Sequence, residues 1–280
     1  MKKLISLLLV TCLTLSLAAC GGNAEENNGS AALSGTVSTD GSTSMERVMG
    51  VLIEGYREVD SSVKVNYSGT GSGAGIEAVL SGVCDIGLSS RTLKVSEIEK
   101  GAVAHLVALD GIAVVVNGGN AVNDLTMQQL RLIFTGEVTD WAELGGSSAP
   151  IAVYGREAGS GTRDAFEEIL EITDRCAYTN EYSSNGDIVG NVSTNPNGIG
   201  YVSLSGVGEG VKSIRVDGIF CSEETIRSGS YPLRRPFYLV TAEGRVLSPQ
   251  AQAFLNYALS DAVAEYIAIA GAVVPDRTKD

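Results

Sequence analysis

Gly155-Arg156-Glu157-Ala158-Gly159-Ser160-Gly161-Thr162 lies between an apparent strand at 150–154 and an apparent helix at 163–171. The chain repeats that arrangement twice. Asp40-Gly41-Ser42-Thr43-Ser44 and Gly69-Thr70-Gly71-Ser72-Gly73-Ala74-Gly75 also leave a strand and enter a helix. A helix start presents unpaired backbone N–H groups and the positive end of the peptide dipoles, so a glycine-lined approach with hydroxyls alongside can surround an oxyanion without any side-chain cation. Three such starts can converge on one ligand.

Around these segments helix and strand signals alternate, which predicts α/β layers with largely parallel sheets. Met45, Val48, Met49, Leu52 and Tyr56 recur at helical spacing, and Thr43 with Glu46 matches a capping box. Residues 63–67 alternate as a strand, 75–81 read as a short helix closed by Gly82, and 84–88 read as the next buried strand. The unit is β-α-β-α-β. The apolar stretch 105–117, broken by Asp110-Gly111, is two strands or one bent strand. A helix over 126–134 opens with Thr126 and Gln129 as its capping box, 199–204 and 211–216 read as later strands, and 235–240 as an extended segment returning to the first lobe. Ser248-Pro249 starts a terminal helix that runs through Leu259.

Met1-Lys2-Lys3 and the apolar run 4–19 read as a secretion signal over 1–19, too short for a membrane span. The run ends in Leu17-Ala18-Ala19-Cys20-Gly21, which resembles the bacterial lipobox, in which the cysteine is lipidated after cleavage. Polar, small residues then make 20–34 a flexible tether, with folding expected from Gly35. The formal charge of −13 becomes −15 once Lys2 and Lys3 leave with the signal. Nucleic acid is thereby a poor partner, since phosphate-backbone binding needs a basic surface. A small anion is still allowed, because a local nest of N–H groups outweighs distant, screened carboxylates.

With Cys12 in the signal and Cys20 lipidated, Cys84, Cys176 and Cys221 remain. Cys84 reads as a small buried residue, and Cys176 and Cys221 as either a disulfide or two free thiols. No Cys/His metal spacing exists and His105 is the single histidine, so neither a metal nor a cofactor is expected. Gly69-x-Gly71-x-x-Ala74 fits the dinucleotide fingerprint, yet Ser90-Arg91 stands where the ribose carboxylate belongs. Neither Ser72 nor Ser160 sits in a Gly-x-Ser-x-Gly elbow, and Ser61-Ser62-Val63-Lys64 lacks its companion Lys-Thr-Gly. These observations point away from an enzyme.

The three segments, together with Asp85-Ile86-Gly87-Leu88-Ser89-Ser90-Arg91, Leu109-Asp110-Gly111-Ile112-Ala113, Thr135-Gly136-Glu137-Val138-Thr139-Asp140-Trp141 and Gly198-Ile199-Gly200-Tyr201-Val202, resemble in content and order the phosphate-binding-protein family of bacterial phosphate ABC importers. The resemblance implies a type II periplasmic-binding-protein-like α/β fold, with a ligand cleft between two lobes joined by two crossover strands. Lobe I would comprise 35–112 and 236–280, and lobe II 113–235. It implies a non-enzymatic, monomeric receptor, anchored outside the cytoplasm through a lipid (palmitate) on Cys20, that hands phosphate to a membrane permease with its ATPase. Phosphate donors would come from Ser42, Thr43 and Ser44, from Ser72, and from Ser160, Gly161 and Thr162. Arg156 would supply a charge-assisted pair, and Ser90 and Arg91 the remaining loop.

Some family members carry an aspartate where this chain has Ser90, to accept the proton of hydrogen phosphate. Asp110 is the nearest replacement by pattern, against a reading as an aspartate in a tight turn. Glu157 is the candidate to hold Arg156. Arg163 is expected to be an exposed first-turn residue rather than a ligand, and Trp141 a core residue. Two alternatives stand beside phosphate capture: a receptor for another tetrahedral oxyanion (sulfate, molybdate or tungstate), and a secreted serine hydrolase or phosphatase.

Overall fold

The computed structural model describes residues 33–275; the expected signal and the tether up to position 32, with Cys20, lie outside them. The chain opens with β1 (Gly35–Gly41), α1 (Glu46–Val59), β2 (Val63–Gly69), α2 (Ser72–Leu80), β3 (Ile86–Ser89) and α3 (Val95–Glu99). β1 lies between β2 and β3, parallel to both. The amphipathic face expected of the first helix is the buried one, with Val48, Met49, Leu52 and Tyr56 packed inward. α2 begins at Ser72, three residues before the expected start.

β4 (Ala102–Asn117) is a single strand that serves two sheets. From Ala102 to Gly111 it pairs antiparallel with β11 (Arg234–Ala242), and from Ile112 to Val116 with β8 (Gly198–Ser203). Asp110-Gly111 is therefore the junction between the two pairings rather than a break between strands. Gly111 is required there by close packing: a Cβ would overlap the Cys221 Sγ and the Ile226 side chain.

The intervening chain runs through β5 (Asp124–Leu125), α4 (Met127–Phe134), β6 (Ala152–Arg156), α5 (Gly161–Ile169), β7 (Asn180–Tyr182) and α6 (Asn185–Thr194) before reaching β8. After it come β9 (Val211–Ser213), β10 (Arg215–Val216) and α7 (Glu223–Ser228). β11 then returns the chain, and α8 (Pro249–Ala258) and α9 (Ala264–Ile269) follow. The strand order is β2-β1-β3-β11-β4-β8-β6-β7, with β9 beside β4. The single strand expected over 211–216 is split, because β9 pairs with β4 whereas β10 turns to pair with β5. The capping box of Thr126 with Gln129 forms as read, and Ser248 caps α8 with Pro249 in its first turn.

Two lobes result, each with its own apolar core. One packs α1, α8 and α9 on the first sheet through Met45, Leu52, Leu88, Phe237, Phe254 and Ile267. The other is built around Phe134, Trp141, Phe166, Ile188, Tyr201 and Leu233, with Phe166 stacked on Tyr201 at 4.0 Å between ring centroids. Trp141 is buried there and donates to the Asn197 carbonyl at 3.0 Å. β4 and β11 are the strands that run from one core to the other.

Candidate functional site

The three glycine-serine segments meet at the lobe boundary. At the end of β1 the Ser42 N–H donates to the Leu88 carbonyl at 3.0 Å, and a short 3-10 turn over Thr43–Met45 leads into α1. The expected Thr43–Glu46 capping box does not form. The Thr43 hydroxyl faces the cleft, where it accepts from Arg156 Nη2 at 2.8 Å, so the opposite lobe claims the group that would have capped the helix. Ser42 is buried and its carbonyl accepts from the Tyr67 hydroxyl at 3.0 Å. Ser44, also buried, shares a 2.7 Å hydrogen bond with the Thr162 hydroxyl across the cleft.

At the start of α2, Ser72 is wholly buried, and its hydroxyl accepts from the Ser90 N–H at 3.1 Å and lies 3.3 Å from the Ser90 hydroxyl. From the other lobe, Ser160 caps α5 by accepting from the Arg163 N–H. Gly161 follows, so close that a Cβ would overlap Ser72 Oγ and lie 2.7 Å from Ser90 Oγ. The Gly73 N–H donates to the Gly159 carbonyl at 3.0 Å. These contacts bring Thr43, Ser44, Ser72, Ser90, Ser160, Gly161 and Thr162 together where the two lobes meet.

Arg156 enters this cleft from the end of β6 and is 1% exposed. Its partners are neutral. Nε donates to the Tyr182 carbonyl at 3.1 Å, Nη2 to the Thr43 hydroxyl and the Ser183 carbonyl, and Nη1 to Asn185 Oδ1 at 3.4 Å. Burial lowers its pKa to about 10, opposed by Tyr201 and reinforced by the charge of Arg235. Glu157, the residue expected to hold this arginine, is exposed at the surface, and carbonyls and an amide hold it instead. The outcome is a guanidinium withdrawn from water between the starts of α1 and α6, with no carboxylate in contact among the described residues. Such a charge is stabilised by an anion delivered to it.

Asp110 stands mid-strand on β4, directly paired in register with Arg235 on β11, and not in a tight turn. Both side chains are inaccessible. Oδ2 accepts from Arg235 Nε at 2.9 Å with Nη2 at 2.8 Å, while Oδ1 accepts from the Ser203 hydroxyl at 2.9 Å. Burial pushes the Asp110 carboxyl up and the Arg235 guanidinium down, and their mutual attraction opposes both shifts. Arg235 Nη1 donates to the Ser90 carbonyl at 3.3 Å, which ties this pair to the ligand loop. With both oxygens engaged, Asp110 acts as the counter-ion of Arg235, a different position from that of an open proton acceptor.

Arg91 is also placed differently from a ligand. Its charge is already met by two carboxylates: the guanidinium donates to Glu97 (2.7 and 2.8 Å), to Asp164 (2.8 Å) and to the Thr92 carbonyl (2.8 Å). Arg163 does not reach the ligand cleft; rather than extending into solvent, it pairs with Glu167 and Glu181, lies over the Tyr178 ring, and donates from Nη1 to the Arg156 carbonyl at 3.0 Å. Cys84, Cys176 and Cys221 are free thiols, so the candidate Cys176–Cys221 disulfide is not formed. His105 bonds to the Thr241 hydroxyl at 2.9 Å, away from Ser72 and Ser160. Among the described residues no cluster of His, Cys, Asp or Glu could hold a metal, and no helix is long and apolar enough to cross a membrane.

Asn185, Ser203 and Arg235 were not singled out by the sequence. Asn185, the first residue of α6, donates to the Ser44 hydroxyl at 3.2 Å and accepts from both Arg156 and the Ser203 N–H. Ser184-Asn185 after a strand and before a helical run is the same kind of signal as the three glycine segments, without the glycines. Arg235 carried a fainter one, a charge at the edge of an apolar run.

Two α/β lobes on shared strands, closed over buried helix starts and one arginine, define a binding protein of the periplasmic type. Residues 26–262 match the family model of the PBP superfamily domain. The phosphate-binding protein PstS of Staphylococcus saprophyticus is 30% identical over 267 residues, 89% of this chain and 82% of that protein. PstS of Bacillus subtilis is 29% identical over 243 residues, 83% and 81% of the two chains. Among solved structures, a protein from Clostridium perfringens, described as a phosphate ABC transporter substrate-binding protein and solved with bound phosphate, is 36% identical with a TM-score of 0.83, covering 86% of this chain and all of that one. An ABC-type phosphate transport receptor from Vibrio cholerae is 33% identical with a TM-score of 0.71, over 85% of this chain and all of that one. The chain belongs to the PBP superfamily and, within it, to the family of phosphate-binding proteins.

Proposed function

We propose that this chain is an extracytoplasmic receptor that captures inorganic phosphate between its lobes and delivers it to the permease and ATPase of an ABC importer. One observation carries the reading: among the described residues Arg156 is buried with neutral hydrogen-bond partners only, at the starts of α1 (Thr43) and α6 (Asn185) on the two sides of the lobe boundary. Arg156 and the donors of Thr43, Ser44, Ser72, Ser90, Ser160, Gly161 and Thr162 bind the anion, while Ser42, Arg91 and Asp110 act one step removed. The same-family proteins named for phosphate support the choice of anion. In this reading Cys20 carries the lipid, 20–34 is the tether, 35–112 with 236–280 forms lobe I and 113–235 lobe II, and the receptor works as a monomer without catalysis. Hydrogen bonds to an ionised group contribute about 1.5–3 kcal/mol each, so several preorganised donors suffice for tight capture. Isothermal titration of phosphate-stripped protein at neutral pH tests this; a folded protein that gives no phosphate heat refutes it.

A second oxyanion stays in view for a specific reason. Asp110, the carboxylate that the family pattern offered as proton acceptor, is engaged by Arg235 and Ser203, which leaves the proton of hydrogen phosphate to a hydroxyl or a backbone carbonyl. Hydroxyls also donate, and a site of donors and hydroxyls tolerates sulfate better than one with a free carboxylate. Easy displacement of phosphate by millimolar sulfate would favour that second reading.

A further inference from the structure

We infer that Arg91, Lys94 and Asp164 form a clasp that holds the lobes shut and sets how long the anion stays, an inference that rests on the capture reading above. Arg91 is on the loop after β3, and Asp164 is in the first turn of α5 in the opposite lobe. Arg91 Nε donates to Asp164 Oδ2 at 2.8 Å, and Lys94 Nζ lies 3.0 Å from the same oxygen. The Ser44–Thr162, Thr43–Arg156 and Ser44–Asn185 contacts also cross the cleft, but they use groups that line the anion chamber. The clasp does not, so it can be altered without removing a donor.

Its charges are arranged so that opening strands none of them. Arg91 is 3% exposed and keeps a two-point pair with Glu97 from its own lobe, which fixes the guanidinium and neutralises it when the lobes part. Asp164, 24% exposed, then returns to water at a helix start, where negative charge is favoured. Closure brings Asp164 onto a cation that Glu97 already orients, which makes the pair stronger than two flexible surface charges would be. Phosphate enters before the lobes meet, so the clasp acts on release rather than on capture.

The test is stopped-flow phosphate binding and release with wild type, Asp164→Asn, Asp164→Glu and the Lys94→Ala, Asp164→Asn double variant. Asp164→Asn should release phosphate on the order of ten-fold faster with an association rate within about two-fold of wild type. Asp164→Glu should restore slow release, and Lys94→Ala should add little once Asp164 is gone. Unchanged release in Asp164→Asn overturns the clasp. A lower melting temperature of the ligand-free variant with unchanged release overturns it too, by assigning Asp164 to the helix start alone. If wild type binds no phosphate, the capture reading has failed, and the clasp is then decided by small-angle scattering of the ligand-free proteins. Asp164→Asn must be the more extended; identical profiles overturn the clasp.

Discussion

Replacing Arg156 isolates the electrostatic core of the site. Its guanidinium is out of water and hydrogen-bonds to no carboxylate among the described residues, so Glu157 and Asp187 balance its charge only at a distance and a bound anion would do so by contact. At a separation of ~4 Å and an effective dielectric of ~20, one anion charge gains about 4 kcal/mol from such a cation. Desolvation of the anion takes back part of that, which places the expected loss for Arg156→Ala at about 2–5 kcal/mol, the range for removing one partner of a buried charge pair. Arg156→Lys should fall between wild type and alanine, because an ammonium has three N–H groups, whereas the guanidinium holds Tyr182, Ser183, Thr43 and Asn185 and keeps a fifth N–H for the anion. Arg163→Ala should cost much less affinity, since Arg163 reaches the site only through the Arg156 carbonyl. The assay is calorimetric titration with phosphate after matching melting curves. An Arg156→Ala affinity within three-fold of wild type, or a larger loss in Arg163→Ala, refutes the assignment of the binding cation.

Gly161→Ala should abolish detectable closure on phosphate, because its Cβ would overlap Ser72 Oγ; calorimetry and scattering read this together, and retained binding would show that the helix starts do not converge. Phosphate affinity should hold up to pH about 10 and then fall by about ten-fold per pH unit. The sign follows from burial, which lowers the folded-state pKa of Arg156 and so favours losing its proton, and with it the cation, as pH rises through that value. Titration across that window in a non-phosphate buffer checks it. Asp110→Ala should destabilise the protein by about 3–5 kcal/mol by leaving Arg235 buried and unpaired, read as a drop in melting temperature without ligand.

The segments that make the site were legible because each is a local signal: a strand, a glycine turn with hydroxyls and a helix start can be read within ten residues, and so could the caps of α4 and α8. Asp110 was misplaced as a possible turn residue because its partner Arg235 is 125 positions away and the pairing exists only once β4 and β11 cross. The same holds for Thr43, whose capping box was a sound local prediction overridden by a hydrogen bond from the other lobe. Arg91 was drawn toward the ligand by its neighbour Ser90, yet Glu97 and Asp164 claim it. Local chemistry fixed where the helix starts are; contacts across the cleft decided which side chains remain for the anion.

A phosphate-bound structure of this protein tests the central claim most directly. The account predicts a tetrahedral anion enclosed between the lobes, within hydrogen-bonding distance of Arg156 and of the helix starts at Ser72 and Gly161, with Arg91 still paired to Asp164. An anion bound elsewhere, or an Arg156 that turns to a carboxylate of its own chain and leaves the anion untouched, would contradict it.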